Sequence, residues 1–188
     1  MSSFGKIRVE GDGALDLLQF LCTSQMDVQV GKIVYTQILN EKGGVECDLT
    51  VSRLSRTSFL LVVPCATLQR DLKLLKRFAK SKKVVVVDVS ASEGVLSIMG
   101  PNCRQLLSKV SPNNFSNESH PFGTWKDIEI GLGIARAHRV SYVGELGWEI
   151  YINSDQCAHV FEEIWKFREI FGKVFGKYLG NIWENIWE

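Results

Sequence analysis

Two successive glycines, Gly43 and Gly44, sit between two runs of alternating polarity, and that arrangement constrains the fold more than any other feature of the chain. Val34 to Leu39 reads as a strand before the turn. After it, Val45, Cys47, Leu49 and Val51 fall on one face while Glu46, Asp48, Thr50 and Ser52 fall on the other, the period of two expected of a strand. The glycines supply the positive backbone dihedrals that a tight hairpin connection demands. The segment is therefore read as an antiparallel hairpin, with Asp48 on its polar side and no core for the carboxylate to fill.

A repeated unit surrounds this hairpin. Ile7 to Leu21 runs strand, Gly11, then a helix from near Asp12 with Leu15, Leu17, Leu18 and Leu21 apolar; Val95 to Val110 runs strand, Gly100, then a helix opened by Pro101 with Leu106, Leu107 and Val110. Pro101 is tolerated in a first helical turn, and Asp12 is placed to cap the earlier helix. Each helix precedes a hairpin, Val34 to Ser52 around Gly43 and Gly44, and Ile134 to Ile152 around Gly144 and Gly147. The echo puts Asp48 and Glu149 in similar positions, directed toward a shared seam. Between the units lie a buried strand, Ser58 to Val63, a helix, Leu68 to Phe78, with Leu72, Leu75 and Phe78 or Ala79 inward, and a strand, Val84 to Val87. Hairpins alternating with single helices predict an α+β fold with antiparallel sheets and flanking helices.

The second hairpin carries its own acid. In SYVGELGWEIYI, Trp148, Ile150 and Ile152 share one strand face and Glu149 and Tyr151 the other, so Glu149 is expected to point away from the core. A carboxylate placed so can accept paired hydrogen bonds from two adjacent N–H donors. Tyr142 can set a flat ring or a hydroxyl beside it, whereas Glu145 falls in the turn itself. Arg53, just after the first hairpin, could pair with a ligand carboxylate or remain a surface charge.

Composition narrows the function classes. The 188 residues suffice for one domain or two small ones, and a net charge of +1 gives no global attraction for nucleic acid. Cys22, Cys47, Cys65, Cys103 and Cys157 form no CxxC pair and have no histidine at metal-ligand spacing, so they read as reduced thiols, with no metal site. No G-x-G-x-x-G follows a strand, so no dinucleotide or flavin site is expected. The start, MSSFGKIRVEGDG, passes from a short polar lead into a strand without a signal or transit segment. Lys73, Lys76, Arg77, Lys80, Lys82 and Lys83 make a basic run that reads as a solvated helix face or as an attractor for an anionic ligand tail.

Four stretches in order, SSFGKIRVEG, YTQILNEKGGVECDLTVSRL, GVLSIMGPNCRQLL and RVSYVGELGWEIYI, resemble the folate-binding aminomethyltransferase superfamily that includes the glycine-cleavage T-protein. The likeness is strongest to the tetrahydrofolate half of sarcosine and dimethylglycine dehydrogenases and extends over residues 1–165. It implies that Asp48 stands beside the folate nitrogen that receives a one-carbon unit, as the catalytic carboxylate. It also implies that Asp48, Tyr142 and Glu149 bind tetrahydrofolate, with Tyr142 and Glu149 holding the pterin. FAD belongs to the full-length enzymes, and their location implies the mitochondrial matrix, with the cytoplasm as the alternative for a chain without a transit segment. The family continues through an arginine that holds the ligand and through two further domains, so this chain is expected to hold only part of the ligand's surroundings and not to oxidise a substrate alone. A non-catalytic regulatory or scaffolding relative, or an inactive fragment, is the alternative.

Residues 166–188 depart from the likeness. Ile170/Phe171, Val174/Phe175, Tyr178/Leu179, Ile182/Trp183 and Ile186/Trp187 recur at helical spacing, giving an aromatic, amphipathic tail suited to self-association. Its charges rule out a conventional membrane span.

Overall fold

The computed structural model describes residues 3–80 and 82–167; the aromatic stripe expected beyond Phe167 lies outside the described residues. The first half of the chain contains β1 (Gly5–Glu10), α1 (Ala14–Leu21), β2 (Ile33–Leu39), β3 (Val45–Arg53), β4 (Ser58–Val63), α2 (Leu68–Ala79) and β5 (Val85–Asp88). After a 3₁₀ turn at Ser90–Ser92 come β6 (Glu93–Met99), α3 (Cys103–Val110), β7 (Trp125–Ile130), β8 (Gly133–His138), β9 (Gly147–Asn153) and α4 (Cys157–Trp165). The fold is α+β, as the hairpin signals predict. One sheet has the order β2-β3-β4-β1-β5 and the other β6-β9-β8-β7, with every pairing antiparallel.

The repeat is real, and its wiring is explicit. In each half a strand leads through a helix into a three-strand meander whose last strand returns beside the first: β2-β3-β4-β1 in one sheet and β7-β8-β9-β6 in the other. The glycine between strand and helix has nearly the same backbone in both copies, φ +128° at Gly11 and +124° at Gly100. Each helix then covers one face of its own sheet. Ala14, Leu17 and Leu18 of α1 and Leu72 and Leu75 of α2 pack with Ile7, Leu49, Phe59 and Leu61. Likewise Leu106 and Leu107 of α3 and Val160 and Ile164 of α4 pack with Ile130, Trp148, Ile150 and Ile152.

The uncovered faces meet each other. Leu60 and Val62 of β4 form a third apolar cluster with Val95 of β6 and Tyr151 of β9, so the molecule is a four-layer stack with helices outermost. Double coverage explains why SFLLVV does not alternate: Phe59, Leu61 and Val63 face the helices while Leu60 and Val62 face the other sheet.

Three expectations change. Asp12 does not cap α1; Gly13 holds the N-cap position with no side-chain cap hydrogen bond, and α3 starts at Cys103 behind an uncapping Asn102 rather than at Pro101. The strand β7 has buried apolar residues at Ile128 and Ile130 only, which leaves little periodicity to read. Most consequentially, Asp48 and Glu149 are not equivalent in the repeat. Asp48 lies on the second meander strand of its sheet and Glu149 on the third of the other, because the β8–β9 hairpin is the counterpart of β3–β4 and not of β2–β3.

The two hinge glycines should separate backbone strain from steric collision. Both lie in a region that side-chain-bearing residues avoid, but a Cβ at Gly11 would collide with the Lys83 carbonyl oxygen while one at Gly100 meets nothing within 4 Å. Gly100→Ala is expected to cost about 1–3 kcal/mol, and Gly11→Ala measurably more, in urea unfolding of the full chain.

Candidate functional site

Register decides which side chains enter the layer between the sheets. The Ser52 hydroxyl lies 3.5 Å from Nδ1 of His138, so the even-numbered residues of β3 look across at the even-numbered residues of β8. Along β3 that row is Asp48, Thr50 and Ser52, with Gln37 and Tyr35 of β2 opposite the first two. His138 pairs in register with Glu149, and Arg136 with Tyr151, which puts Glu149 and Tyr151 in the same layer. Asp48 and Glu149 therefore stand on the facing sides of the two sheets.

Their surroundings differ sharply. Strand β4 pairs with β3 only from Thr50 to Arg53, so Asp48 lies one pleat beyond its cover and is exposed at the rim. Gln37 Nε2 donates to Asp48 Oδ1 at 3.1 Å. Hydrogen bonding to Asp48 also raises the Tyr35 hydroxyl above the usual phenol range. Glu149 is only 7% exposed, and the Tyr151 hydroxyl donates to its Oε2 at 2.9 Å. Burial pushes its carboxyl above the ordinary glutamate range, against the pull of that hydrogen bond. The expectation that Glu149 points away from the core is corrected: its side of β9 is the interior of the stack.

Tyr142 belongs to the loop between β8 and β9 and is 76% exposed. Its ring meets Phe4 edge-on, at 6.4 Å between centroids and 71° between planes. Phe4 in turn packs on the Leu60, Val62, Val95 and Tyr151 cluster. Since Gly5 pairs with Val63 and Thr50 with Val62, extending both ladders by one pleat places Phe4 and Asp48 in one row, two strand spacings or about 10 Å apart. Asp48 and Tyr142 thus mark the same end of the seam, and Glu149 lies within it.

Sequence reasoning missed the groups that hold this seam. His138 is fully buried and its ring lies 4.2 Å from that of Tyr151 at 30°; burial depresses its pKa well below the usual histidine value, so it is neutral. Lys6, also fully buried, donates through Nζ to the carbonyls of Ser90 at 3.1 Å and Glu93 at 2.9 Å. The alternation in GKIRVE and in ARAH marks Lys6, Arg136 and His138 as one face of their strands, but only the facing sheet makes that face internal. Arg53 is structural: Nη1 donates to Asp27 Oδ1 at 2.6 Å and to the Val28 carbonyl at 2.5 Å, and the guanidinium lies over the Phe59 ring. Among the described residues no cluster of His, Cys, Asp and Glu could hold a metal ion, and no helix is long and apolar enough to cross a membrane.

Residues 1–176 match the family model described as the GCVT N-terminal domain. The 4-methylaminobutanoate oxidase (formaldehyde-forming) of Paenarthrobacter nicotinovorans is 38% identical over 172 residues, which cover 92% of this chain and 21% of the oxidase. Human mitochondrial sarcosine dehydrogenase is 33% identical over 179 residues, 87% of this chain and 20% of that protein. The mouse mitochondrial pyruvate dehydrogenase phosphatase regulatory subunit is 32% identical over 177 residues, 92% of this chain and 20% of that protein. The chain thus spans about a fifth of the length of these curated relatives. Among solved structures, the glycine cleavage system aminomethyltransferase T of Bartonella henselae superimposes with a TM-score of 0.75 at 24% identity, over 87% of this chain and 43% of that one. That superposition shows the same fold.

The seam gives Glu149 a testable pH signature. A carboxyl whose folded pKa is raised contributes its full stability below the unfolded value and loses it as pH climbs through the folded one. Glu149→Gln should therefore resist urea better than the parent chain at pH 8, and the difference should vanish toward pH 4. In the same series Tyr151→Phe, which removes the hydrogen bond opposing burial, should raise the Glu149 titration further when followed by ¹³C carboxyl NMR.

Proposed function

The chain belongs to the GCVT N-terminal domain family, and from that premise we propose that it is the tetrahydrofolate-binding part of a sarcosine or dimethylglycine dehydrogenase-like enzyme. Its role would be to accept a one-carbon unit from an oxidised methylamine. The observation that carries this reading is a buried carboxylate, Glu149, standing on one sheet across from an exposed one, Asp48, on the other. Relatedness to sarcosine dehydrogenase and to a formaldehyde-forming methylamine oxidase supports it.

The donor set suits a pterin. With Oε2 engaged by the Tyr151 hydroxyl, Glu149 presents a carboxylate whose remaining lone pairs can receive a ring amide N–H and an exocyclic amine, two donors on one edge. Ionising so buried a group is unfavourable alone, and two charge-assisted hydrogen bonds offset that cost. Tyr142 offers an aromatic face at the rim, steadied by Phe4. Tetrahydrofolate bound there would supply the two nitrogens that take the carbon from an iminium donor, the donor's C–N bond breaking to release the free amine as the 5,10-methylene bridge closes. Asp48 stabilises the positive charge that develops at the attacking nitrogen and receives or relays its proton, while Gln37 and Tyr35 hold the carboxylate in place. The domain comprises residues 1–165, and the matrix of mitochondria is the location that the human and mouse relatives support.

A second reading, a non-catalytic regulatory or scaffolding subunit, is favoured by the likeness to the phosphatase regulatory subunit. Calorimetric titration with 5-formyltetrahydrofolate separates the two. The folate reading requires saturable binding that weakens by about 2–5 kcal/mol when Glu149→Gln removes the buried acceptor, and by less when Asp48→Asn alters the rim. Undetectable binding at millimolar folate, or binding indifferent to both substitutions, leaves the regulatory reading in its place.

A further inference from the structure

The second sheet carries a cleft that it lines alone. The cleft has a volume of about 210 Å³, and its walls include Glu93 of β6, Asp127 of β7, Ile134 and Arg136 of β8, and Tyr151 and Asn153 of β9. No residue of the first sheet contributes to it. Asn153 stands four residues past Glu149 on β9, about 13 Å at the rise of a strand, so the cleft is separate from the carboxylate of the seam.

Two of its walls are the partners of one ion pair. Arg136 donates through Nη2 to Glu93 Oε1, and the two side chains are only 13% and 8% exposed. The guanidinium is held between aromatic rings, 5.8 Å from the centroid of Trp125 and 5.9 Å from that of Tyr151. Each partner nevertheless keeps one atom unmatched: Arg136 Nε and Glu93 Oε2 are buried and have no hydrogen-bond partner among the described residues. A buried ion pair offsets its desolvation only when its remaining protons and lone pairs are matched as well. A leftover N–H donor beside a leftover carboxylate oxygen calls for a molecule that carries an acceptor and a donor close together.

We propose that this cleft binds a small zwitterionic α-amino acid, with its ammonium against the Glu93 and Asp127 carboxylates and its carboxylate against the Arg136 guanidinium. The site goes beyond the folate reading of the seam and does not rest on it. A lone anion would face two carboxylates as well as the guanidinium, and a lone cation would face the guanidinium and leave its N–H unmatched. A molecule with both charges one carbon apart meets neither objection. Asp127 is exposed and lies opposite Arg136 in the β7–β8 register, so a second carboxylate stands at the mouth for the ammonium, and the exposed Asn153 amide can accept or donate beside it. Ile134, 62% exposed, and the Tyr151 ring complete the wall with apolar surface, which suits a short side chain or none: glycine or alanine rather than a long or charged residue.

The test is an NMR titration of the full chain with glycine and with alanine, using methylamine and acetate as half-ligands. Backbone amide shifts of residues 134–136 and 151–153 should move and saturate with either amino acid. Methylamine and acetate should each bind at least about tenfold more weakly, since each forfeits one charge-assisted contact. Ile134→Trp fills the cleft from an exposed position and should abolish the shifts, while Asp127→Asn, also exposed, should weaken binding several-fold. An otherwise unchanged amide spectrum shows that both variants are folded. The inference is overturned by an absence of saturable shifts with both amino acids, by equal binding of methylamine or acetate, or by binding that survives Ile134→Trp. Binding of 5-formyltetrahydrofolate is read at Glu149 and Asp48 instead, so either reading can fail without the other.

Discussion

Two sheets that each wear helices on one face can close only by pressing their remaining faces together, and the polar groups trapped there must satisfy one another. Here the trapped set is unusually ionic. Lys6 gives its ammonium to two backbone carbonyls, and Arg136 pairs with Glu93 between the rings of Trp125 and Tyr151. Ser52 meets His138 across the gap, and the Trp125 indole donates to the Arg53 carbonyl at 3.0 Å. Every one of these links has one end on each sheet or braces a residue that does. A buried polar group left without a partner costs about 1–3 kcal/mol, so hydrogen-bond matching constrains the relative placement of the sheets alongside the small apolar cluster of Leu60, Val62, Val95 and Tyr151.

Duplication supplied two copies of one wiring, and the copies diverged where they face each other. Where the third meander strand of the first copy puts Leu60 and Val62 into the seam, that of the second puts Glu149 and Tyr151. Where the second meander strand of the first copy carries Asp48, Thr50 and Ser52, its counterpart carries Ile134, Arg136 and His138. Opposing sheets with the same topology thus present unlike surfaces. One contributes apolar floor and an exposed acid, the other a buried acid and its hydroxyl partner.

Much of this was legible in the sequence, for a physical reason that also explains the misses. The β2–β3 hairpin, the strand-glycine-helix units and the α2 helix each bury one face and expose the other, so periodicity reports them directly. Strands covered on both sides hide that signal, and β4 could be read only as a short apolar run. In β9 the alternation was present, but it distinguished helix-facing from sheet-facing residues rather than inside from outside, which is why Glu149 was expected at a surface. Lys6 and His138 were unreadable as interior groups because their burial depends on the second sheet, a tertiary fact. The resemblance to folate-binding enzymes named Asp48, Tyr142 and Glu149, and the fold places two of them at one end of the seam and the third inside it; the register that relates them comes from strand order alone.

The contrast between the two acids follows from where the sheets end. Glu149 sits where both sheets overlap, and burial raises its carboxyl above the ordinary glutamate range. Asp48 sits one pleat past the end of β4, exposed at the rim with Gln37 donating to its carboxylate. A single structural device, a β4 that is shorter than β3, therefore does two things at once. It leaves Asp48 at the rim and opens the edge through which Arg70 reaches the Glu46 carbonyl. Lengthening β4 would cover that edge and flank Asp48 with a strand, so the early end of β4 sets how open the rim is around this acid.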